Sequence, residues 1–325
     1  MKKTITLIVI LIAVSNLFAG TWRVNNTDPT ADFNSLDTAI ATINAGDTLF
    51  LEGSTVAYFL TNNLTKKVTI IGPGFFLTEN PNTLNTQLSA LISGNFTILA
   101  EDVVIDGVVF KAGYGSEWVS LGADNITIRR CLVEKYLQFN NRDNSLSKDI
   151  YNCTVMQCYL THGVSISNDD KAYNAIVINN IATSNNGSIS GLRNSVIENN
   201  SMVSTYATIT GNSGCTIKNN LGTQNDADIT YYNSNCNINN NYKYTLSVDF
   251  IPSAGASTDG KWRLKESSAA LTAGTNGSQC GVFGGEFPYV LSGLPSIPHI
   301  YEIDAPTSAS AANGLRVTVR IGTEK

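Results

Sequence analysis

Apolar and polar residues alternate over short stretches in the middle of the chain. In "NITIRRCLV", which starts at residue 125, the alternating apolar positions are Ile126 and Ile128. Alternation with a period of two predicts a β-strand with one buried face. Related segments start at positions 152, 174, 194, 214 and 235, at intervals of 27, 22, 20, 20 and 21 residues. The chain therefore repeats a unit of roughly twenty residues.

A second apolar series runs beside the first and predicts a second strand in each unit. Its members are Phe139, Ile166, Ile189, Ile209 and Ile229. A bend joins the two strands, and one position of this bend stays in register through the repeat. That position holds Cys131, Cys158, Asn180, Asn200, Asn220 and Asn241. Asn tolerates left-handed backbone conformations, and its amide can bond to the amide of the next unit.

Strand–bend–strand units of this length stack into a parallel β-solenoid, in which each unit rises about 4.8 Å and like residues form ladders. Leucine-rich repeats share the period, but they need several leucines and usually a helical half in each unit. A β-sandwich would place its strands about every 8–12 residues without keeping Asn in fixed register. The repeat therefore predicts an all-β fold, a β-solenoid built from single coils.

The two ends of a solenoid must be covered, because open strand edges pair with other chains. The segment "ADFNSLDTAIATINAGDTLFLEG" predicts a short amphipathic helix from about Ser35 to Ile43, which would cap the N-terminal end. From Pro288 the chain has several prolines and then the alternating strand "NGLRVTVRIG". We expect this tail to pack against the last coil or to form a small appended ribbon.

The N-terminus has the pattern of a cleaved secretory signal. Lys2 and Lys3 precede an apolar core from Ile5 to Val14 that is too short to span a bilayer, and Ala19 offers a small residue before a cleavage point. We therefore divide the chain into a signal peptide (1–19), a capped β-helix (20–287) and a C-terminal tail or capping segment (288–325). The protein is expected to be secreted, periplasmic or associated with the cell surface.

The net negative charge of the chain argues against nucleic acid as a partner. Without the two leader lysines, the formal net charge moves from −5 to −7. An acidic chain with no basic block is a poor candidate for binding nucleic acid. No later segment is apolar for long enough to cross a membrane. We also expect the protein to be a monomer.

The six cysteines show no spacing typical of a structural zinc site. Cys153, Cys215 and Cys236 share an inward column, which favours small core residues. A disulfide between Cys215 and Cys236 is the alternative, since the two would lie on neighbouring coils.

With its coils laid out, the chain resembles the right-handed parallel β-helix proteins of the pectin-lyase-like superfamily, which Gram-negative bacteria secrete. The opening "DFNSLDTAIATINAGDTLFLEG" with "KKVTIIGPG", the "IxNN" coils and "WRLKESSAALTAGTNGSQCGVFGG" at 262–285 carry this resemblance. The last stretch looks like the closing coil of such proteins. The superfamily includes lyases, hydrolases, epimerases and proteins with no known activity, most of them acting on polysaccharides, so the fold alone does not select a function.

Fragments of the polygalacturonase motifs occur, but in the wrong order. "THG" at 161–163 precedes the pair Asp169 and Asp170, and "RLK" at 263–265 lies many coils away. We interpret these fragments as coincidental. The pairs Asp106–Arg129 and Glu198–Lys218 stand at matching outward positions of neighbouring coils. A calcium-dependent lyase would need such carboxylates and an Arg, but we favour modest surface ion pairs.

The candidate binding site lies where the repeat is disturbed, because insertions into a solenoid project as loops on one side. Two loops at one corner supply carboxylates, cations and tyrosines; a solvated pair of loops with internal salt bridges is the alternative. An exposed Trp118 one coil earlier would extend an aromatic platform, and burial of Trp118 under the loop is the alternative. The candidate residues are Trp118, Arg142, Asp143, Lys148, Asp149, Tyr151, Asp169, Asp170, Lys171 and Tyr173. His162 lacks a fixed carboxylate partner in the sequence and is interpreted as structural.

These observations favour a protein that binds a polysaccharide or other glycan without catalysis. No catalytic motif appears in order, and the outward faces are rich in hydroxyl groups: Ser165, Ser167, Ser188, Ser190, Thr208 and Thr210. A polysaccharide lyase or glycoside hydrolase that uses the carboxylates of the 140–151 and 167–173 loops is the first alternative. A structural or adhesive surface spacer is the second. No cofactor is expected, apart from Ca²⁺ if the protein is a lyase.

Overall fold

The computed structural model describes residues 19–113, 117–140, 149–166, 171–184, 187–251, 256–308 and 314–323. In this part of the chain the repeat winds into a parallel β-helix of about eight turns, with three long sheets along its axis. Strands and helices are numbered in chain order. Each regular coil contributes one strand to each sheet, so a unit holds three strands.

Sheet A contains β1 (Thr21–Val24), β2 (Thr48–Leu51), β4 (Thr69–Ile71), β7 (Val104–Asp106), β10 (Thr127–Arg129), β14 (Thr154–Met156), β18 (Ile176–Ile178), β21 (Val196–Glu198), β24 (Thr216–Lys218) and β26 (Asn237–Asn239). Sheet B contains β3 (Tyr58–Phe59), β5 (Leu91–Ser93), β8 (Val109–Phe110), β11 (Leu132–Val133), β15 (Tyr159–Leu160), β19 (Ile181–Ala182), β22 (Ser201–Met202), β25 (Leu221–Gly222) and β27 (Tyr242–Lys243). Sheet C contains β6 (Phe96–Ile98), β9 (Trp118–Leu121), β12 (Tyr136–Phe139), β16 (Gly163–Ile166), β20 (Ser188–Ser190) and β23 (Ile209–Thr210).

The remaining elements interrupt or follow the coils. Sheet D is a parallel pair, β13 (Asp149–Tyr151) and β17 (Lys171–Tyr173), and the tail forms an antiparallel hairpin of β28 (His299–Asp304) and β29 (Thr318–Gly322). The helices are α1 (Leu36–Thr42), α2 (Asp226–Tyr232) and α3 (Leu246–Asp249). Short 3₁₀ turns occur at Gly260–Trp262, Ala269–Leu271, Thr275–Gly277 and Leu291–Gly293.

Helix α1 occupies the segment where the sequence predicts a helix. Ser35 is the N-cap, and its hydroxyl accepts a hydrogen bond from the amide of Thr38. Leu36 and Ala39 are buried in the core that the coils enclose. The helix therefore belongs to the same hydrophobic core as the first strands.

The bends between sheets A and B use residues in the left-handed region of φ. Three of them are Asn179, Asn199 and Asn219, with φ of 53°, 54° and 57°. The next residue in each bend points inward and forms a ladder of amides. The N and Nδ2 of Asn180 both donate to Oδ1 of Asn200, at 3.0 and 2.9 Å, and Asn200 donates in the same way to Asn220. These buried bonds hold adjacent coils in the register that the repeat predicts.

The second apolar series is only partly regular. Phe139 pairs with Ile166, but Ile189 pairs with Val164, two residues before Ile166. Gly191, with φ of 83°, lies against Ile166 and ends the following strand early. Ile229 is buried in the core as expected, but in α2 rather than in a strand. Asn225 and Asp228 form a capping box that starts this helix.

Residues 262–285 do not form a closing coil. They contribute no strand to the three sheets, and they pack with Phe250 and Tyr289 over the outside of sheet B. The reason is the composition of that face, where Val109, Leu132 and Ile181 point outward and need cover. A second hydrophobic cluster therefore lies outside the coils, in addition to the enclosed core.

The tail does not pack against the last coil. Residues 280–296, here called the return segment, run back along the A–B bends towards the first coils. Gly281 N bonds to Asn219 O, Asn179 Nδ2 bonds to the carbonyl of Val282, and Arg130 Nη1 bonds to Ser296 Oγ. The long polar side chains at the left-handed positions of the bends thus fasten this segment along the coil.

The six cysteines are free thiols, and five of them are buried. Cys215 N donates to Sγ of Cys236 at 3.2 Å across neighbouring coils. The two thiols therefore pack in one column without a disulfide.

Candidate functional site

The outer face of sheet C is polar, in contrast to the apolar outer face of sheet B. Because inward residues such as Leu137 and Phe139 are buried, their neighbours along each strand point outward. Gln138, Ser165, Ser188, Ser190 and Thr210 are half-buried outward side chains. Thr97 and Ser120, at the positions of the earlier coils in register with Gln138, are buried. The hydroxyl groups of Ser188 and Thr208 lie 3.1 Å apart on adjacent coils. The hydrogen bonds of the return segment go to the A–B bends, on another side of the coil.

Sheet D follows the sheet C strands along the chain and brings four predicted site residues together. Its register pairs Asp149 with Lys171 and Tyr151 with Tyr173. The two tyrosine rings are stacked, with centroids 5.3 Å apart and an interplanar angle of 15°. The amide of Tyr151 donates to Oδ1 of Asp124 at 2.9 Å, which fixes the start of the stack. Tyr151 is 38% exposed. The stacked pair Tyr151–Tyr173 and the charged pair Asp149–Lys171 therefore lie together on the outer face of sheet D.

Desolvation and the neighbouring carboxylate of Asp149 raise the pKa of Tyr151. Its hydroxyl therefore remains protonated at neutral pH and donates to Asp149 Oδ2, at 3.4 Å. A neutral phenol next to a carboxylate offers hydrogen bonds to a polar ligand.

Five of the ten predicted site residues lie outside the described residues. They are Arg142, Asp143, Lys148, Asp169 and Asp170. The acid–base or binding role expected of these side chains stays a prediction.

Trp118 does not continue the stack of Tyr151 and Tyr173. It begins a sheet C strand and pairs in register with Tyr136. The ring of Tyr136 stacks on the imidazole of His162, with centroids 4.3 Å apart and an interplanar angle of 25°. The B–C bend precedes each sheet C strand whereas sheet D follows it, so the chain places aromatic groups at both ends of sheet C.

A buried ion pair lies next to the first of these aromatic groups, and the sequence pattern did not predict it. The side chain of Lys135 is fully enclosed, and its Nζ lies 3.2 Å from Oε2 of Glu117 and bonds to the carbonyl of Gly94. Burial lowers the pKa of Lys135, while the charge of Glu117 opposes this shift. Lys111 and Glu134 form a second ion pair at the same corner, at 2.9 Å. The adjacent residues Glu134 and Lys135 before an aromatic strand were the available signal.

His162 lies at this corner rather than beside the other fragments of the hydrolase motifs. Its Nδ1 is buried without a hydrogen-bond partner, and burial lowers its pKa. Leu264, in the centre of the "RLK" fragment, pairs with Phe250 in the segment outside sheet B. The two fragments therefore belong to different elements of the fold, the B–C bend and the segment that covers the outside of sheet B.

The pair Asp106–Arg129 is not the surface pair that its sequence positions suggest. Arg129 Nε lies 2.7 Å from Asp106 Oδ2, but Asp106 is only 2% exposed. Burial raises the pKa of Asp106, against the opposing charges of Arg129 and Arg130. The return segment explains the burial, because Pro295 lies against Gly107 next to this carboxylate. The pair Glu198–Lys218, at 3.4 Å, is half-exposed as expected.

Within the described ranges, no group of three or more His, Cys, Asp or Glu is arranged to hold a metal ion. The same ranges contain no helix with the length and apolar character needed to cross a membrane.

No family model matches the sequence, and no curated protein matches it. Among solved structures, the pectate lyase Pel9A is 12% identical with a TM-score of 0.42, over 82% of this chain and 97% of its own. The pectin methylesterase from Aspergillus niger is 9% identical with a TM-score of 0.42, over 80% of this chain and 95% of its own.

The GH136 lacto-N-biosidase from Eubacterium ramulus is 10% identical with a TM-score of 0.42, over 67% of this chain. This chain spans 55% of the length of that protein. Likeness at this level gives no basis for assigning an activity. The sheet order and the parallel register of the chain itself define the class of protein, a parallel β-helix.

Proposed function

We propose that the protein binds a polysaccharide across the outer face of sheet C without catalysing a reaction on it. One observation supports this most: half-buried hydroxyl and amide groups lie between two aromatic groups at opposite ends of the sheet C strands. The first group is Trp118 with Tyr136 and His162, and the second is Tyr151 with Tyr173. Aromatic rings offer apolar area to sugar rings, and the polar side chains between them can exchange hydrogen bonds with sugar hydroxyls.

The charged groups at this face favour binding over catalysis. Lys135 is enclosed and bonded to Glu117, so it holds the B–C bend rather than reaching a ligand. Asp149 and Lys171 are exposed and directly opposite each other, as in an ordinary cross-strand charge pair.

The test is a binding assay on a panel of neutral and acidic polysaccharides, with and without calcium, followed by sizing of the polymers. We expect one class of polymer to bind and to keep its length. Trp118→Ala and Tyr173→Ala should each weaken binding at least about fivefold, or ~1 kcal/mol, as expected for an aromatic contact at the centre of an interface.

Phe287→Ala is the matched control, because Phe287 is 47% exposed but belongs to the return segment. It should leave affinity unchanged. Shortened chains or unsaturated ends would contradict the proposal and establish an enzyme; the loop carboxylates would then be replaced one at a time. Absence of binding to every polymer would instead favour the structural spacer.

A further inference from the structure

Asp47 has a buried carboxylate that collects three N–H donors at the first strands of the helix. Its Oδ1 accepts from the amide of Gly20 at 2.6 Å, and its Oδ2 accepts from Trp22 Nε1 at 2.8 Å and from the amide of Asn44 at 3.0 Å. The residue is 1% exposed. Burial works to raise the pKa of Asp47, but these three hydrogen bonds and the charge of Lys66 together outweigh it, and the pKa is lowered. The group is therefore a carboxylate anion inside the protein.

In the described part of the chain, no Lys, Arg or His side chain forms an ion pair with this carboxylate. Lys66 contributes a favourable charge from a distance, but its Nζ bonds to the carbonyls of Ala41 and Ile43. A buried anion without a cation costs free energy, so a positively charged partner of Asp47 would stabilise the folded protein.

The backbone of Gly20 forms part of this site through both its N–H and its carbonyl group. Its carbonyl accepts a hydrogen bond from Thr48, the residue that begins β2, at 2.8 Å. A Cβ at position 20 would lie 2.8 Å from Trp22 Nε1 and 3.2 Å from Asp47 Oδ2, so a larger residue would displace the indole. Ala19, one residue earlier, is exposed. The nitrogen of Gly20 is thus fixed against the carboxylate, while the residue before it is exposed.

The sequence places the end of a secretory signal at this bond, with the small residue Ala19 on its leader side. We propose that Asp47 is a binding site for the α-ammonium group of Gly20, which a signal peptidase produces by hydrolysing the Ala19–Gly20 bond. Water adds to the carbonyl carbon of Ala19, the C–N bond breaks, and Ala19 leaves as a carboxylate. The amine of Gly20 takes the proton and gives Asp47 its missing counter-ion.

The first experiment is export of the full chain into the periplasm of a bacterial host, followed by intact-mass analysis of the purified protein. We expect the mass of a chain that begins at Gly20. A chain that begins at any other residue, or that keeps its leader, would overturn the proposal.

The second experiment measures how fast an amine-specific acylating reagent modifies the α-amino group of the exported protein at neutral pH. A neighbouring carboxylate raises the pKa of an amine, and one unit removes nine-tenths of its reactive form. We therefore expect Asp47→Asn to speed modification at least about tenfold. Asp102→Asn, which removes an exposed partner of Lys67, should have no effect. Equal rates in wild type and Asp47→Asn would refute the ion pair even if processing occurs at Gly20.

Should Asp47→Asn fail to fold, the pH profile of the wild-type protein decides instead. A raised amine pKa gives stability that is present below the unfolded value, near 8, and is lost as pH rises through the folded value. The lowered pKa of Asp47 gives stability that is lost as pH falls through its folded value. Acetylating the amine of unfolded, exported protein before refolding should abolish the alkaline loss. An unchanged alkaline profile after acetylation would also overturn the proposal.

Discussion

At the bend between sheets B and C, His162 lies flat against Tyr136 with one ring nitrogen buried and unpaired. Burial lowers its pKa from 6.5, so the unfolded chain takes up a proton at a higher pH than the native protein does. Stability should therefore fall as pH drops from 6.5 towards the folded pKa. Urea midpoints between about pH 5 and pH 7.5 measure this slope.

His162→Gln should flatten that slope. The chain has two histidines, so His299→Gln is the matched control and should keep the slope of the wild type. If the stability of His162→Gln still falls with pH as in the wild type, a group other than His162 causes the pH dependence.

The residues of the candidate site and of the bends were only partly predictable from the sequence. Outward hydroxyls follow from alternation alone, and the positions of Ser165, Ser188 and Thr210 agree with the prediction. Ser167 lies outside the described residues. Trp118 was expected to extend the tyrosine platform, but it lies at the start of a sheet C strand, because its position depends on a third strand per coil and on where the bends fall. Asp106 was misjudged because its burial comes from Pro295, nearly 190 residues away in the chain.

Among the elements of the coil, the asparagine bend makes the sharpest prediction. Asn200 Oδ1 accepts two bonds from Asn180, and its Nδ2 donates to the carbonyl of Val177 at 2.8 Å and to Asn220. Asn200→Ala should cost about 2–4 kcal/mol, since it leaves several buried polar groups unpaired. The change in urea midpoint measures the loss.

Asn237→Ala provides the control, because Asn237 is an exposed asparagine of the same repeat. Its replacement should change stability by no more than about 0.5 kcal/mol. Equal effects at the two positions would mean that the ladder contributes nothing beyond helping to form the bend.

The strands of the repeat were more predictable than a helix that stands where the repeat predicts a strand. The period of about twenty residues reports the circumference of the coil, so the sheet A strands from β10 to β26 follow from their alternating residues. Strand β1 was not predicted, because it precedes the repeat. The helix α2 was missed because Ile229 fits the apolar series whether its segment is a strand or a helix. The capping pair Asn225 and Asp228 distinguishes the two cases, and this local signal prevailed over the repeat.

On the scale of the whole molecule, the return segment joins coils that a solenoid would otherwise leave independent. Solenoids are stabilised between neighbouring units, so their ends can open without the middle. Residues after 260 carry no repeat, and nothing in their own pattern shows that they lie along coils formed far earlier in the chain. Their placement follows from the apolar outer face of sheet B and from the polar side chains of the A–B bends.

Asp259 anchors this segment to an early loop and gives the last prediction. It is fully buried, and its carboxylate accepts from Asn80 Nδ2 at 3.0 Å, from the amide of Ser292 at 2.7 Å and from the hydroxyl of Tyr289 at 3.3 Å. Asp259→Ala leaves two buried donors unpaired, the amide of Ser292 and the hydroxyl of Tyr289, at a cost of about 2–4 kcal/mol. Asn80 loses one bond but keeps the bond from its Nδ2 to Ser292 Oγ. Hydrogen exchange should therefore rise in 288–298 and in 74–85, while the coils at 196–222 keep their protection.

Glu302→Gln is the control, since Glu302 forms an exposed pair with Arg320 in the tail hairpin and such pairs contribute little. It should leave exchange unchanged in all three regions. A uniform rise along every coil after Asp259→Ala would contradict local release, because it would mean that the return segment and the solenoid open only as one cooperative unit. No rise at 74–85 would show that the early coils hold their structure without the anchor.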